Sequence, residues 1–186
     1  MIVVLMGVSG CGKTTIGQGL KSVLTSASSF SGGWEFVDGD DYHPKGNVEK
    51  MSSGIPLDDE DRRGWLEQLS KLLHEWAASG QNRILACSAL KRRYRDLLRG
   101  GDLPSGAAEE KQRPPVVFVH LQGSFEVFQQ RLRKRQHHFM KEKMLQSQVR
   151  VLRIQRGTEE RKCIEEGEAT KRRRGEMEKT KKTVFQ

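Results

Sequence analysis

The stretch "MIVVLMGVSGCGKTTIGQGL", Met1 to Leu20, decides the fold. Ile2 to Met6 is a short apolar run rich in β-branched residues that stops at Gly7, the pattern of a buried parallel strand entering a glycine loop. Thr14 to Leu24 then carries Ile16, Leu20, Val23 and Leu24 at helical spacing. Between them "GVSGCGKT", Gly7 to Thr14, satisfies G-x-x-x-x-G-K-[ST] in full, and the predicted strand before and helix after supply the context this loop needs. The residue types carry the chemistry. Glycines let backbone N–H groups turn inward around a β-phosphate, and the helix N-terminus adds positive dipole. Lys13 reaches the β and γ oxygens, and the Thr14 hydroxyl ligates Mg²⁺. The expected nucleotide site is therefore Gly7, Val8, Ser9, Gly10, Cys11, Gly12, Lys13, Thr14 and Thr15. Cys11 fills a free position of the motif, so packing explains it better than redox chemistry.

Outward from this loop, strand and helix alternate. Trp34 to Val37 reads as a second strand after the Ser/Gly-rich turn 26–33 and ends at Asp38. From Asp58 the period changes: Trp65, Leu66, Leu69, Leu72, Leu73 and Trp76 share a helical face, with acids at its start and Gly80 as its stop. Arg83 to Cys87 is a third strand, opening into a helix marked by Leu90, Tyr94, Leu97 and Leu98. Residues 100–115 read as a polar surface loop, Val116 to Leu121 as a fourth strand, and Phe125 to Leu132 as the start of another helix. This alternation predicts an α/β, three-layer fold with a parallel sheet and helices on both faces.

The chain has 186 residues, 35% of them hydrophobic, enough for one core and one domain. Its apolar start is too short to span a membrane and lacks a secretory pattern, which predicts a cytoplasmic protein. Cys11, Cys87 and Cys163 lack metal or disulfide spacing and read as free thiols. The net charge is +9, and residues 149–186 hold 12 Lys or Arg against 7 Glu. That tail has Phe185 as its one aromatic, so nucleic-acid binding is not supported. It is also too poor in apolar positions to join a core, and a loose helix or disorder is expected.

A phosphate loop alone does not separate a motor, a switch and a small-molecule kinase. The third and fourth strands end without the acid that ATPase motors place there. The acid at a strand end is Asp38, in "DGDDYHP", Asp38 to Pro44. From the neighbouring strand it can approach the magnesium shell, directly or through water, although capping the following turn is the alternative. Asp40, Asp41 and His43 then project into the crevice or its rim. Lys50, Arg62, Lys91, Arg92, Arg93 and Arg95 supply cations from elements expected at the same sheet edge, a mixture suited to a polyhydroxylated carboxylate. "RLRKRQHHFM", Arg131 to Met140, concentrates cations where nucleotide kinases carry a lid; Arg131 and Arg135 fall on one helical face, able to reach the transferring phosphoryl group together.

"MGVSGCGKTT", "DGDDYHP", "NVEKMSSGIPLDDEDRRGWL", "CSALKRRYRDLLR" and "RLRKRQHHFMKEKMLQSQ" together resemble the gluconokinases of the small P-loop type, which are similar in layout to shikimate kinase. The resemblance runs from residue 2 to about 148. It implies a nucleoside-monophosphate-kinase-like fold, usually dimeric, and transfer of phosphate from ATP to D-gluconate, giving ADP and 6-phosphogluconate. It also implies that Asp40 lies near the attacking 6-hydroxyl, that His43, Arg62 and Lys91 contact substrate, and that Asp38 with Thr14 serves Mg²⁺. Lys13, Asp40 and Arg135 form the expected catalytic set, and Arg131 is expected at the nucleotide. The kinase of another small hydroxy acid, or a nucleotide-binding chain of impaired activity, are the alternatives. Past residue 148 the sequence departs from the family. The expected domain is 1–148 with a lid at 131–145, followed by a divergent basic tail, 149–186, in place of the family's final strand and helix.

Overall fold

A computed structural model describes residues 1–27, 33–100, 115–134 and 142–155. Four parallel strands, β1 (Ile2–Met6), β2 (Trp34–Asp38), β3 (Asn82–Ala86) and β4 (Val116–His120), form one sheet in the order β2-β3-β1-β4. Register aligns Leu5 with Ala86 and Val119, and Asp38 with Ala86, so all four strands present their C-terminal ends at one edge. Each strand begins and ends within about a residue of its expected place.

The helices are α1 (Lys13–Ala27), α2 (Lys45–Ser52), α3 (Asp59–Ala78), α4 (Arg92–Leu98), α5 (Phe125–Lys134) and α6 (Glu142–Gln155). Alternate residues of β1 serve opposite layers, as a two-residue period requires. Ile2, Val4 and Met6 pack with Trp65, Leu69 and Leu73 of α3 and Leu98 of α4. Val3 and Leu5 join Trp34, Ile84 and the α1 residues Leu20 and Leu24 on the other face. The layers approach closely: a Cβ added at Gly17 on α1 would collide with the Phe36 ring of β2.

Helix α3 starts where its acids indicate. Asp58 accepts from the Asp61 N–H at 2.8 Å, and the Asp61 carboxylate accepts from the Asp58 N–H at 2.8 Å, a reciprocal capping box. Asp59, Glu60 and Asp61 also sit where the helix dipole favours negative charge. Helix α2 has no counterpart in the sequence reading, because it buries only Asn47 and Met51 and so shows no apolar stripe.

The chain divides into two compact units, Met1–Val151 and Leu152–Gln186. Of the second, the described residues are the last turn of α6. The expected boundary at residue 148 falls inside this helix, and Leu145 and Gln148 on it are buried. Among the described residues the sheet has four strands, with β4 at one edge.

Candidate active site

At the end of β1 the chain turns through Gly7–Gly12 into α1. Gly10 adopts φ +82°, and a side chain there would also meet the Phe128 carbonyl, so glycine suits the position twice over. Lys13 Nζ donates to the carbonyls of Gly7 at 3.1 Å and Val8 at 3.3 Å, folding the ammonium back over its own loop. Arg131 of α5 reaches the same loop, with Nη1 3.5 Å from the Gly10 carbonyl and 3.4 Å from that of Cys11. Of the sequence-predicted nucleotide residues, Gly10, Cys11, Gly12, Thr15 and Arg131 border a cavity of about 380 Å³. Arg135 lies outside the described residues.

The next strand delivers the carboxylates. Thr14 Oγ1 donates to Asp38 Oδ2 at 3.0 Å, and the Asp40 N–H donates to Asp38 Oδ1 at 3.2 Å. Asp38 thus caps the 3₁₀ turn Gly39–Tyr42 and also reaches the phosphate-loop threonine. Gly39 passes so close to the Ala86 carbonyl that a Cβ would lie 2.7 Å from it, which seats the turn directly on β3. Burial drives the Cys87 thiol, just past β3, up to about 12, and the charges of Asp40, Lys13 and Asp38 also act on it. Fully buried and held as the thiol, Cys87 is an inert apolar neighbour of the strand end.

His43 follows the turn. Its ring stacks on Trp65 with centroids 4.1 Å apart, and the Trp65 indole N–H donates to the Gly39 carbonyl at 2.8 Å. Trp65 is core, as its spacing predicts, but it also orients the histidine. His43 Nε2 lies 3.9 Å from Asp40 Oδ1. Desolvation, with the Arg62 charge as a second cause, lowers the His43 pKa to about 4 and keeps the ring neutral at physiological pH. Asp41 is exposed on the outer side of the turn.

The cations are held, each by its own partners. Lys50 pairs with Asp61 at 2.5 Å; its hydrogen bond to that carboxylate raises the lysine pKa and lowers the aspartate's. Arg62 donates to the carbonyls of Leu57 and Asp58. Lys91 Nζ lies 2.6 and 2.9 Å from the two oxygens of Asp59, which also accepts from Arg93 and the Tyr94 hydroxyl. Arg95 Nη1 clamps the carbonyls of Ala89 and Leu90, each at 3.1 Å. Ala89 has φ 42°, a left-handed conformation unusual for alanine that is over-determined by this clamp and full burial. The turn it makes carries Lys91 toward a cavity of about 240 Å³, bordered also by Leu57, Arg62, Ser88 and Gln148. Asp40 and His43 stand outside that cavity, so the four expected substrate residues fall into two pairs.

Gln148 was not foreseen. Its Oε1 accepts the Ser9 N–H at 2.7 Å, a buried link from α6 to the phosphate loop. The signal was a polar residue three positions after buried Leu145 on one helical face, too weak to use alone.

The sequence is similar to known kinases over the region that builds this site. A family model described as an AAA domain matches residues 2–155. A probable gluconokinase of Xenopus tropicalis is 45% identical over 156 residues, covering 82% of this chain and 78% of that protein. The gluconokinase of Gluconobacter oxydans (strain 621H) is 44% identical, with 81% and 74% covered.

This chain belongs to the gluconokinase family.

The fold agrees: the crystal structure of a gluconokinase from Sinorhizobium meliloti 1021 superposes with a TM-score of 0.62 at 38% identity, over 84% of this chain and 77% of that one. For a gluconokinase-family kinase the third and fourth strand ends are informative. Neither β3, followed by Cys87-Ser88, nor β4, followed by Leu121-Gln122, ends in an acid, so Asp38 on β2 is the carboxylate nearest the phosphate-loop threonine among the described residues.

Proposed function

We propose that this chain transfers the γ-phosphoryl group of ATP to the 6-hydroxyl of D-gluconate, releasing ADP and 6-phosphogluconate. The observation that carries this reading is the convergence of Lys13, the Thr14–Asp38 pair and the Asp40–His43 pair at one sheet edge, in a chain of this family. Beside that edge lies a cavity with Arg62 and Lys91 in its wall, suited to a carboxylate.

The transferring group passes through a loose transition state, so positioning and charge stabilisation do most of the work. Lys13 leaves its loop carbonyls to neutralise the β and γ oxygens, with Arg131 of α5 and Arg135 as the further cations of this reading. The gluconate oxygen attacks phosphorus in line, the new O–P bond forms as the bond to ADP breaks, and the hydroxyl proton passes to Asp40 and then to water. Arg62 and Lys91 hold the substrate carboxylate.

The donor set fits Mg²⁺. A hydroxyl and a carboxylate oxygen 3.0 Å apart are hard ligands, and this ion keeps several waters, binding through one or two protein oxygens plus phosphates. No group of three or more His, Cys, Asp or Glu side chains suited to a metal occurs among the described residues, which disfavours an all-protein cage. When bound, the ion neutralises phosphate charge; Thr14 and Asp38 would hold it.

We place the reaction in the cytoplasm, where ATP is available and where Cys11 and Cys87 stay reduced. No helix among the described residues is long and apolar enough to cross a membrane. A homodimer is part of the same reading, and sedimentation would measure it. The activity is tested by ADP release across a panel of polyol acids: gluconate-dependent turnover is expected, whereas turnover with another acid and none with gluconate would overturn the assignment.

A further inference from the structure

The His43 side chain is 5% exposed and its surroundings are specific. One face stacks on Trp65, the charges of Arg62 and Asp40 lie nearby, and the Nδ1 edge faces the side chain of Asn47. Asn47 sits in the first turn of α2, where its own N–H donates to the Pro44 carbonyl at 2.9 Å. Its side-chain Nδ2 lies 2.7 Å from the Asp61 carbonyl and 3.5 Å from His43 Nδ1.

These contacts determine more than packing. A backbone carbonyl only accepts, so the Asn47 atom facing Asp61 must be the amide nitrogen; the reverse orientation would set two oxygens against each other. That nitrogen has two hydrogens and no lone pair to offer. The same atom faces His43 Nδ1 at 3.5 Å, which places Nδ1 to accept. A neutral imidazole carries one proton, and with Nδ1 accepting it resides on Nε2.

We propose that Asn47 is a positioning residue that fixes His43 as the Nε2–H tautomer, making His43 a hydrogen-bond donor to the reacting hydroxyl and leaving Asp40 as the proton acceptor beside it. The inference rests on the reading of Asp40 and His43 as acceptor-site residues. A hydroxyl between them donates to the Asp40 carboxylate and accepts from Nε2–H, so one lone pair is committed to His43 and another is free to meet phosphorus. The tie to Asp61 gives Asn47 its own anchor: Asp61 belongs to the α3 capping box and is paired with Lys50. The start of α3 thereby sets the state of a ring on the preceding segment.

The test is a long-range proton–nitrogen correlation spectrum of protein carrying nitrogen-labelled histidine, assigned with His43→Gln. The wild type is expected to show a pyridine-type Nδ1 and a pyrrole-type Nε2 at neutral pH. In Asn47→Asp no hydrogen remains to donate to Nδ1, and the oxygen that replaces the amide nitrogen is repelled by the Asp61 carbonyl, so the wild-type pattern is expected to be lost. Outer-shell positioning residues typically contribute 10- to 100-fold, so kcat in Asn47→Asp should fall by about that factor with KM for ATP little changed. A pyrrole-type Nδ1 in the wild type would overturn the proposal, as would Asn47→Asp with wild-type tautomer and kcat. The wild-type spectrum can overturn the proposal even if the variant fails to fold. It also needs no substrate: the expected tautomer in a chain inactive on gluconate would overturn the activity and support Asn47's role, and turnover with the opposite tautomer would do the reverse.

Discussion

Asp38 divides its two oxygens between a turn and the phosphate loop, one accepting from the Asp40 N–H and the other from the Thr14 hydroxyl. Capping and metal approach stood as alternatives in the sequence; the structure shows the cap, and the cap leaves the second oxygen on the phosphate-loop threonine, where the proposed Mg²⁺ would be held. Asp40 lies 3.9 Å from His43 Nε2, and in the proposed mechanism it is the group that takes the proton. Asp40→Asn keeps the shape and removes that capacity. It is expected to lower kcat by about a hundredfold or more, with little change in KM for ATP, in a steady-state assay. The phosphate loop was legible residue by residue, since its chemistry depends on backbone turns that only a few residue types allow. Gln148 and Asn47 were not. Their roles come from what faces them across the fold, on segments 139 and 14 residues away in sequence.

At the scale of elements, the start of α3 organises the cationic wall. Asp58 and Asp61 cap the helix, Asp61 also holds Lys50, and Asp59 gathers Lys91, just before α4, with Arg93 and Tyr94 of α4. The acids were legible as a helix start because they precede an apolar period. Their second use, holding cations in place, was not, because it depends on α4 packing beside them. Asp59→Ala releases Lys91 from its partner. KM for gluconate is expected to rise more than kcat falls, and because the pair is part-exposed the stability loss should be no more than about 1 kcal/mol. For a chain of this size that is a drop in Tm of about 2–4 °C, readable by calorimetry.

The unit Met1–Val151 is built on a sheet whose C-terminal edge carries the phosphate loop, Asp38 and Asp40, with layers set by the two-residue alternation of β1. That much follows from apolar runs and their periods. Helix α2 does not, since it buries only Asn47 and Met51, and α6 runs on to Gln155, past the boundary expected at residue 148. Stability of the whole should report on His43. Its pKa is lowered from 6.5 to about 4 on folding, so the unfolded chain binds more protons between those values. The stabilising contribution is present above pH 6.5 and is lost as pH falls toward about 4. Tm is expected to rise more steeply across that window in the wild type than in His43→Gln, as measured by thermal melts at fixed ionic strength. Ligand linkage gives a second global readout: Tm of the wild type should rise with ATP and Mg²⁺, and that of Lys13→Ala much less.

The most direct measurement is phosphorus NMR of ATP, Mg²⁺ and D-gluconate incubated with the wild-type chain and, separately, with Lys13→Ala. In the wild-type sample a phosphomonoester signal of 6-phosphogluconate should grow as ADP accumulates, with both slowed by about a hundredfold or more when Lys13 is removed. ADP formation without that phosphomonoester, or equal rates in the two proteins, would contradict phosphoryl transfer to gluconate at this site.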